Sequence, residues 1–268
     1  MILQPYGTTI AVAILVGAYA ASVEARRRGQ NPQLVWDALP WVLVFGLIGA
    51  RAYHVLHLWN FYRKNLVQIL FLWNGGLGIW GAILGGVVGL LLFLRLGRTP
   101  LRQGFSGVFA LLDIAAPGLA IGQSIGRFAN FFNQELYGWP TKLPWGIYIR
   151  PENRFPGLEN FEYFHPLFLY ESLWCLLGFV ILEGCKRFKG YKGLTGERFL
   201  FYLSFYALGR FFLEPLRIES WMIAPLGGVQ GVRVAQLVSV VVVCSCIVAA
   251  VVRRAQSSKC KVQNQVQS

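Results

Sequence analysis

The chain has 268 residues, of which 55% are hydrophobic and only 14% are charged. Soluble domains carry about 25% charged residues, so this composition excludes an ordinary soluble protein and indicates an integral membrane protein. Lysine and arginine number 25 against 12 aspartate and glutamate, which gives a net charge of +13. Because the aromatic residues lie in apolar runs and not among the basic residues, this charge favours an anionic lipid surface over nucleic acid.

Long apolar runs predict an all-α, polytopic bundle of transmembrane helices. A spanning helix needs about 20 mainly apolar residues, and such runs occupy seven segments: 7–23, 39–58, 76–95, 106–123, 166–183, 198–215 and 232–252. The first run is not expected to be a cleaved signal peptide, because basic residues follow it instead of preceding it. The fourth run is the weakest, since Asp113 and Pro117 interrupt it.

Lysine and arginine residues predict the orientation of this bundle. Most of them lie in the segments that follow the first, third, fifth and seventh spans, and cytoplasmic loops are enriched in these residues. We therefore expect the N-terminus outside and the C-terminus in the cytoplasm. On this topology, residues 1–254 form a single transmembrane domain with an external segment at about 124–165, and the polar tail at 255–268 is predicted to be disordered.

The cysteine and histidine residues favour neither a disulfide framework nor a metal site. All five cysteines fall in late spans or in predicted cytoplasmic segments, where disulfides are not expected. None lies in the external segment, so no catalytic thiol of this chain is expected there. Three scattered histidines do not make a metal-ligand cluster.

Charged residues inside a predicted span mark the first candidate site. Tyr206, Arg210 and Glu214 follow one another at i,i+4 steps and therefore share a helix face, with Arg217 close to it. Ionisable residues within a membrane usually face a cavity or a partner. One interpretation is an anion site in which Arg210 binds the anion and Glu214 orients Arg210. The alternative is an Arg210–Glu214 pair that only neutralises itself.

A second group of polar residues lies in residues 122–138, where the fourth span meets the outer surface. If this segment is helical, Arg127, Asn130 and Gln134 share a face. Arg127 is then suited to bind a phosphate, while Asn130 and Asn133 are suited to bond hydroxyl groups or ester carbonyls. The alternative is an interfacial segment whose polar side chains only reach for water.

The fifth span begins with a third polar group. Pro166 suits the first position of a helix, which places His165 at the outer water boundary. A histidine at such a position is either structural or a candidate for proton transfer. Glu171 lies deeper in the same span and needs a partner.

Glycine residues in the third span predict close helix packing. Gly81, Gly85 and Gly89 stand at four-residue spacing, which is the small-xxx-small pattern of helices that pack closely in membranes. We interpret this face as structural. The run just before it, at 73–82, is predicted to be a loop near the outer surface.

Together, these motifs closely resemble those of the prolipoprotein diacylglyceryl transferase family of bacterial plasma membranes. The most specific of them reads Gly126-Arg127-Phe-Ala-Asn130-Phe-Phe-Asn133-Gln-Glu135-Leu-Tyr-Gly138. Shorter matches are Pro5-Tyr6-Gly7, Asp113-Ile-Ala-Ala-Pro117, His165-Pro166 with Leu169-Tyr170-Glu171, Tyr206 with Gly209-Arg210, and Glu214 with Arg217. The resemblance runs from about residue 5 to about residue 250 and includes the number of spans.

The resemblance implies a reaction, a location and a set of partners. Members of the family transfer the diacylglyceryl group of phosphatidylglycerol to the lipobox cysteine of a prolipoprotein, which forms a thioether and releases glycerol 1-phosphate in the first step of lipoprotein maturation. A multi-pass protein of the bacterial plasma (inner) membrane is implied. Its partners are phosphatidylglycerol, prolipoprotein signal peptides with a lipobox cysteine, and the lipid bilayer, and no cofactor or metal is required.

The resemblance also carries roles onto individual residues. Arg127 matches the family's phosphatidylglycerol-binding arginine and Asn130 its paired asparagine, while Arg210 and Glu214 match its second essential arginine and the neighbouring glutamate. The implied catalytic residues are Arg127, Arg210, Glu214, His165 and Tyr206. The implied phosphatidylglycerol-binding residues are Arg127, Asn130, Asn133, Glu135 and Tyr6.

The sequence departs from the family at the third span. Many members have His-Gly-Gly there, and that histidine has been favoured as the general base, whereas this chain has Trp80-Gly81-Ala82. Either a base at this position is dispensable, or His165, Tyr6 or Tyr206 substitutes for it. The identity of the base therefore stays open.

Two other classes of function compete with this interpretation. A transporter or channel would use the intramembrane charges to line a polar path, but it predicts broken helices at corresponding positions of two halves, and the sequence has no matching halves. A scaffold that binds anionic lipid without chemistry would need the arginine residues but not the hydroxyl, amide and imidazole groups around them.

Overall fold

The computed structural model describes residues 5–72, 75–97, 104–184, 195–223 and 232–266. Within them lie eight α-helices: α1 (Pro5–Arg27), α2 (Gln33–His57), α3 (Trp59–Tyr62), α4 (Ile79–Leu96), α5 (Gly104–Asn133), α6 (Leu167–Gly184), α7 (Glu197–Leu213) and α8 (Val234–Val266). Two short strands, β1 (Ile147–Tyr148) and β2 (Tyr163–Phe164), pair in antiparallel register between α5 and α6. Short 3-10 helices are present at Leu66–Leu70, Pro151–Asn153 and Glu214–Leu216.

Six of the described helices are long and apolar enough to cross a membrane, namely α1, α2, α4, α5, α6 and α8. This content agrees with the predicted all-α, polytopic membrane architecture. The predicted span at 198–215 corresponds to α7, which has only 17 residues. The count of seven spans and the orientation of the two termini therefore stay predictions.

Helix α5 differs from the predicted fourth span in its continuity and in its length. It runs for 30 residues through Asp113 and Pro117, although both were expected to weaken it. Asp113 is compensated by Arg28, whose guanidinium lies 3.2 Å from the Asp113 carboxylate and 2.8 Å from that of Glu24. At its far end, α5 continues to Asn133 and so extends into the predicted external segment.

The end of α5 corrects one expectation about the shared polar face. Arg127 and Asn130 are helical, as the sequence predicted, but the helix stops at Asn133. Gln134 takes a left-handed conformation with φ 53°. Gln134 therefore does not continue the helical face of Arg127 and Asn130.

The tail belongs in part to the last described helix. The sequence predicted disorder for 255–268, which stays a prediction, and the backbone of α8 is helical to Val266. No proline or glycine occurs between Ala255 and Val266, so nothing in this stretch breaks a helix that has already begun in the apolar part of α8.

The chain divides into two compact units, and residues 21–114 form one of them. In this unit α2 packs against α4 so closely that a Cβ atom on Gly81 or Gly85 would overlap the backbone carbonyl oxygen of Gly49 or Phe45. Only glycine permits this approach between two helix backbones. The interpretation of these glycines as a packing face is confirmed.

A buried arginine organises the segment between α3 and α4 in the same unit. Arg51 is 6% exposed, and its guanidinium donates to the carbonyl oxygens of Gln68 (2.6 Å), Ile69 (2.9 Å), Phe71 (3.2 Å), Gly75 (2.7 Å) and Gly76 (3.0 Å). Residues 75–78 are irregular, as the loop prediction required, whereas residues 79–82 of the predicted loop form the first turn of α4, and residues 73–74 lie outside the described residues. The backbone of this loop is therefore held by one side chain.

Residues 1–20 and 115–268 form the second unit. Helix α1 packs on α5 where a Cβ atom on Gly17 would lie 2.8 Å from the carbonyl oxygen of Gly118. The segment after α5 has its own small core of Tyr137, Ile149 and Phe164. The N-terminal ends of α1 and α6 and the C-terminal ends of α5 and α7 carry the candidate site residues that the sequence singled out.

Candidate active site

The carboxylate of Glu171 lies at the centre of a cluster of arginine side chains. Glu171 follows the first turn of α6, and its side chain is only 4% exposed. Arg127 Nε lies 2.9 Å from its Oε2 atom, while Arg210 and Arg217 lie 3.1 Å and 3.6 Å from its Oε1 atom. Three segments of the chain, α5, α7 and the residues just after α7, thus converge on one buried carboxylate, which is the partner that Glu171 required.

Arg210 bridges two buried carboxylates. One terminal nitrogen of its guanidinium donates to Glu171 and the other donates to Glu214 Oε2 at 2.8 Å. Ser220 Oγ donates to the second oxygen of Glu214 at 3.0 Å, and Arg233 donates to the Glu214 backbone carbonyl. The predicted i,i+4 pair of Arg210 and Glu214 is therefore present, but it is part of a larger network and does not stand alone.

The cluster has a net positive charge, and its arginine side chains are partly accessible to a ligand. The side chains of Arg127, Arg210 and Arg217 are 23%, 21% and 25% exposed, whereas Glu171 and Glu214 are buried. Three guanidinium groups against two carboxylates leave an excess of one positive charge among these five side chains. Buried carboxylates on one side and accessible guanidinium groups on the other suit the binding of an anion such as a phosphodiester.

Tyr206 orients the guanidinium of Arg127. The Arg127 side chain donates to the Tyr206 hydroxyl at 3.3 Å while its Nε faces Glu171. Two different elements, α6 and α7, therefore fix the plane of this guanidinium. Because a planar guanidinium binds carboxylate or phosphate through directed pairs of N–H groups, its orientation decides which of them remain for a ligand.

A group of uncharged and acidic side chains lies beside Arg127. Asn130 Nδ2 donates to Glu135 Oε1 at 2.9 Å, and Tyr6 is close enough to interact electrostatically with Glu135 and Arg127. The structure thus gathers four of the predicted phosphatidylglycerol-binding residues. Asn133 is exposed at the last residue of α5, and within the described residues no hydrogen bond joins its side chain to this group.

His165 lies in a separate hydrogen-bonded chain of aromatic residues. Its Nδ1 atom is 3.2 Å from the Tyr170 hydroxyl, which accepts a hydrogen bond from Trp145 Nε1 at 2.8 Å. The His165 backbone is fixed by Gly138 and Trp139, whose N–H and carbonyl groups pair with it at 2.9 Å and 3.1 Å. The described hydrogen bonds therefore tie His165 to the external segment and not to the arginine cluster.

Gly138 joins the two parts of the site. Its backbone lies between His165 and the residues after α7, so that a Cβ atom there would come within 2.6 Å of the Leu216 carbonyl oxygen. The backbone of Gly138 also forms an isolated bridge with Arg217. A glycine is required at this position because the chain passes close to two other segments.

Sequence reasoning found most of this site and missed specific parts. It identified Glu171 but did not predict its partner. A carboxylate inside a span, together with several arginines in other spans, was a signal that these charges form ion pairs. It missed Ser220 and Arg233, which reach Glu214 only through the fold after α7. Trp80, which replaces the histidine frequent in the family, lies on the first turn of α4 and is 57% exposed.

Comparison with known proteins identifies similar chains. The family model for prolipoprotein diacylglyceryl transferase matches residues 1–252. The chain is 43% identical over 242 residues to the phosphatidylglycerol–prolipoprotein diacylglyceryl transferase of Trichormus variabilis, covering 87% of this chain and 79% of the relative. It is 41% identical over 241 residues to the protein of the same name from Thermosynechococcus vestitus, covering 90% of this chain and 85% of the relative.

Proposed function

The chain belongs to the prolipoprotein diacylglyceryl transferase family, and on this premise we propose that it transfers the diacylglyceryl group of phosphatidylglycerol to the lipobox cysteine thiol of a prolipoprotein. The products are a thioether-linked diacylglyceryl prolipoprotein and glycerol 1-phosphate, which makes this the first step of lipoprotein maturation. The arginine cluster around Glu171 is the observation that carries the proposal, since it offers accessible cations within a membrane protein.

The charge change of the reaction fits this cluster. The thiol loses a proton and its sulfur attacks the glyceryl carbon, while the bond from that carbon to the phosphate oxygen breaks. The phosphodiester carries one negative charge, and the departing glycerol phosphate gains a second as the bond breaks. Guanidinium groups beside the phosphate therefore stabilise the transition state more than the bound lipid, which is the condition for catalysis.

The contacts support distinct roles for the residues around the phosphate. We assign the headgroup phosphate to Arg127 and Arg210. Glu171 holds both guanidinium groups, Glu214 orients Arg210, and Tyr206 orients Arg127. Buried carboxylates that pair with arginine keep the guanidinium geometry fixed before the lipid arrives, which lowers the reorganisation that binding requires.

We assign the glycerol hydroxyls and the ester groups of the lipid to the neighbouring polar residues. Asn130, Glu135 and Tyr6 lie beside Arg127, and Asn133 is exposed on the same end of α5. An amide group can donate to a hydroxyl or accept from one, whereas an ionised carboxylate accepts a hydrogen bond from a hydroxyl. His165, Tyr6 and Tyr206 are the candidates for accepting the thiol proton.

The location of the site within the helices also bears on the rival transporter hypothesis. The polar side chains cluster at one end of α5, α6 and α7 and do not line these helices along their length. On the predicted topology this is the outer end, in a multi-pass protein of the bacterial plasma (inner) membrane. A lipid headgroup and the cleavage region of a signal peptide meet at such a membrane boundary, whereas a transport path continues across it.

The test uses purified protein in detergent, phosphatidylglycerol and a synthetic peptide with a lipobox cysteine. We expect the peptide to gain the mass of a diacylglyceryl group and glycerol phosphate to be released. Arg127→Ala should abolish both signals. Arg254→Ala is the matched control, because Arg254 pairs with Glu197 at the other end of α7 and its side chain is 65% exposed.

A peptide with serine in place of the lipobox cysteine completes the design. It should gain no mass, because the nucleophile comes from the peptide and not from this chain. Absence of any mass gain with folded wild-type protein and the cysteine peptide would refute the transferase proposal. Loss of transfer in Arg254→Ala to the same degree as in Arg127→Ala would refute the assignment of the headgroup site.

A further inference from the structure

Gln134 and Leu136 are the only described residues other than glycine with a left-handed backbone, at φ 53° and 56°. This conformation is disfavoured for residues that carry a Cβ atom, and it persists where the surroundings impose it. The two residues flank Glu135, which we have assigned to the lipid headgroup. The turn is therefore held against the intrinsic preference of two of its residues.

Helix α5 ends at this turn in a Schellman motif. The N–H of Gln134 bonds to the carbonyl of Phe131 at 3.1 Å, and the N–H of Glu135 bonds to the carbonyl of Asn130 at 2.9 Å. These two hydrogen bonds define the motif, and its left-handed position is usually a glycine. Glycine would adopt this conformation without strain, but it lacks the interaction that the glutamine side chain makes here.

The amide of Gln134 supplies that interaction. Its Oε1 atom accepts hydrogen bonds from the Arg150 backbone N–H and from Asn153 Nδ2, both at 3.0 Å, and its Nε2 atom donates to the Tyr148 carbonyl at 3.5 Å. Asn153 is itself fixed, because the Tyr137 hydroxyl donates to its carbonyl at 2.6 Å. Burial raises the pKa of the Tyr137 phenol, so it keeps the proton that it donates.

The same turn directs Glu135 back towards the helix. The Glu135 carboxylate accepts the hydrogen bond of Asn130 at 2.9 Å and lies within electrostatic reach of Tyr6. We infer that Gln134 is a positioning residue, whose amide fixes the turn that holds Glu135 beside Asn130 and thereby sets the affinity for the phosphatidylglycerol headgroup. The inference rests on the proposed function, because it takes Asn130 and Glu135 as headgroup contacts.

A double-mutant cycle in the full-length protein tests this inference. The variants are Gln134→Gly, which keeps the turn accessible but deletes the amide, Glu135→Gln, and the combination of both. The readouts are the Kd for a short-chain phosphatidylglycerol, measured by calorimetric titration, and the KM and kcat of transfer. Thr141→Ala is the matched control, because it removes a hydrogen bond to the Leu143 N–H elsewhere in the external segment.

We expect Gln134→Gly to raise the Kd and KM for the lipid about fivefold, the effect of losing one or two hydrogen bonds, with kcat unchanged. The double variant should bind no more weakly than Glu135→Gln alone, because Gln134 acts through Glu135. If Gln134→Gly instead loosened the fold in general, the double variant would lose the summed binding free energies of the two single variants. If Gln134→Gly does not fold, Asn153→Ala takes its place. This variant removes the side chain that donates to Gln134 Oε1, and it should also raise the Kd.

Two outcomes would overturn the inference: a Kd unchanged in the folded variants, or losses that simply add in the double variant. Thr141→Ala should match the wild type in both readouts, and a rise in its Kd equal to that of Gln134→Gly would also count against a specific role for Gln134. The binding cycle needs no turnover. Absence of transfer by wild-type protein therefore refutes the proposed function, while the binding data still decide whether Gln134 acts through Glu135.

Discussion

The Glu171 carboxylate lies 2.9 Å from Arg127 Nε. The two residues stand on different helices, and their positions in the sequence did not predict that they pair. The Glu171 oxygen that faces Arg127 is buried and has no aligned hydrogen bond in the described residues, so the ion pair is its main compensation. A buried carboxylate that loses its cation is strongly destabilising. Glu171 and Arg127 therefore depend on each other.

Glu171→Gln is expected to weaken both the fold and the activity. The substitution keeps the shape of the side chain but removes the negative charge around which Arg127, Arg210 and Arg217 gather. Breaking a buried ion pair costs about 3–5 kcal/mol, and a small displacement of catalytic groups lowers turnover about 100-fold. Thermal unfolding in detergent and the peptide transfer assay measure the two effects.

The control for this prediction is Glu162→Gln, which changes an exposed carboxylate in the external segment. It should leave both the unfolding temperature and the rate of transfer close to those of the wild type. Wild-type transfer by Glu171→Gln would show that the charge of Glu171 does not organise the arginine cluster.

Tyr206→Phe is expected to reduce lipid affinity without abolishing turnover. The variant removes the hydroxyl that accepts a hydrogen bond from Arg127 at 3.3 Å, but Glu171 still holds the same guanidinium. Loss of one such hydrogen bond corresponds to roughly a threefold to tenfold rise in KM for phosphatidylglycerol. Initial rates at varied lipid concentration separate KM from kcat. A complete loss of kcat would contradict a purely orienting role and would assign proton transfer to Tyr206.

Local patterns in the sequence predicted the parts of this structure that depend on neighbours along the chain. The apolar runs predicted the long helices, and i,i+4 spacing predicted the Arg210–Glu214 pair, because both follow from helix geometry alone. The glycines of the third span predicted close packing for the same reason. In each case a few consecutive residues contain the whole physical cause.

Features that depend on distant contacts were not predictable in the same way. The convergence of Arg127, Arg210 and Arg217 on Glu171 requires the relative placement of three segments, which no local pattern specifies. The end of α5 was missed because Gln134 occupies a position where glycine is the usual signal. The groups that bond to the Gln134 amide belong to Tyr148, Arg150 and Asn153, which come later in the chain than the turn.

Arg51→Lys is expected to destabilise the loop between α3 and α4 even though it retains the charge. The guanidinium of Arg51 donates to five backbone carbonyl oxygens between Gln68 and Gly76, and an ammonium group has fewer donors in a different geometry. Each buried carbonyl left without a donor costs about 1–3 kcal/mol. Hydrogen exchange should therefore accelerate in residues 66–72 and 75–76.

Arg63→Lys provides the comparison for Arg51→Lys, because Arg63 is exposed in the same segment. Its exchange rates should match those of the wild type. Equal protection of residues 66–72 and 75–76 in Arg51→Lys and wild type would mean that the carbonyl contacts of Arg51 do not hold the loop.

Gly85→Ala and Gly86→Ala together test the packing of α2 against α4. A Cβ atom on Gly85 would overlap the backbone carbonyl oxygen of Phe45, and a backbone atom cannot move aside as a side chain can. A Cβ atom on the adjacent Gly86 would lie 3.5 Å from Val42 Cγ1 and 3.9 Å from the Val42 carbonyl oxygen, which are ordinary contacts. Forcing an extra methyl group into a close-packed interface costs about 1–3 kcal/mol. Gly85→Ala should therefore unfold at a lower temperature than wild type in detergent, while Gly86→Ala should not; equal unfolding temperatures for the two variants would contradict the close approach of these helices.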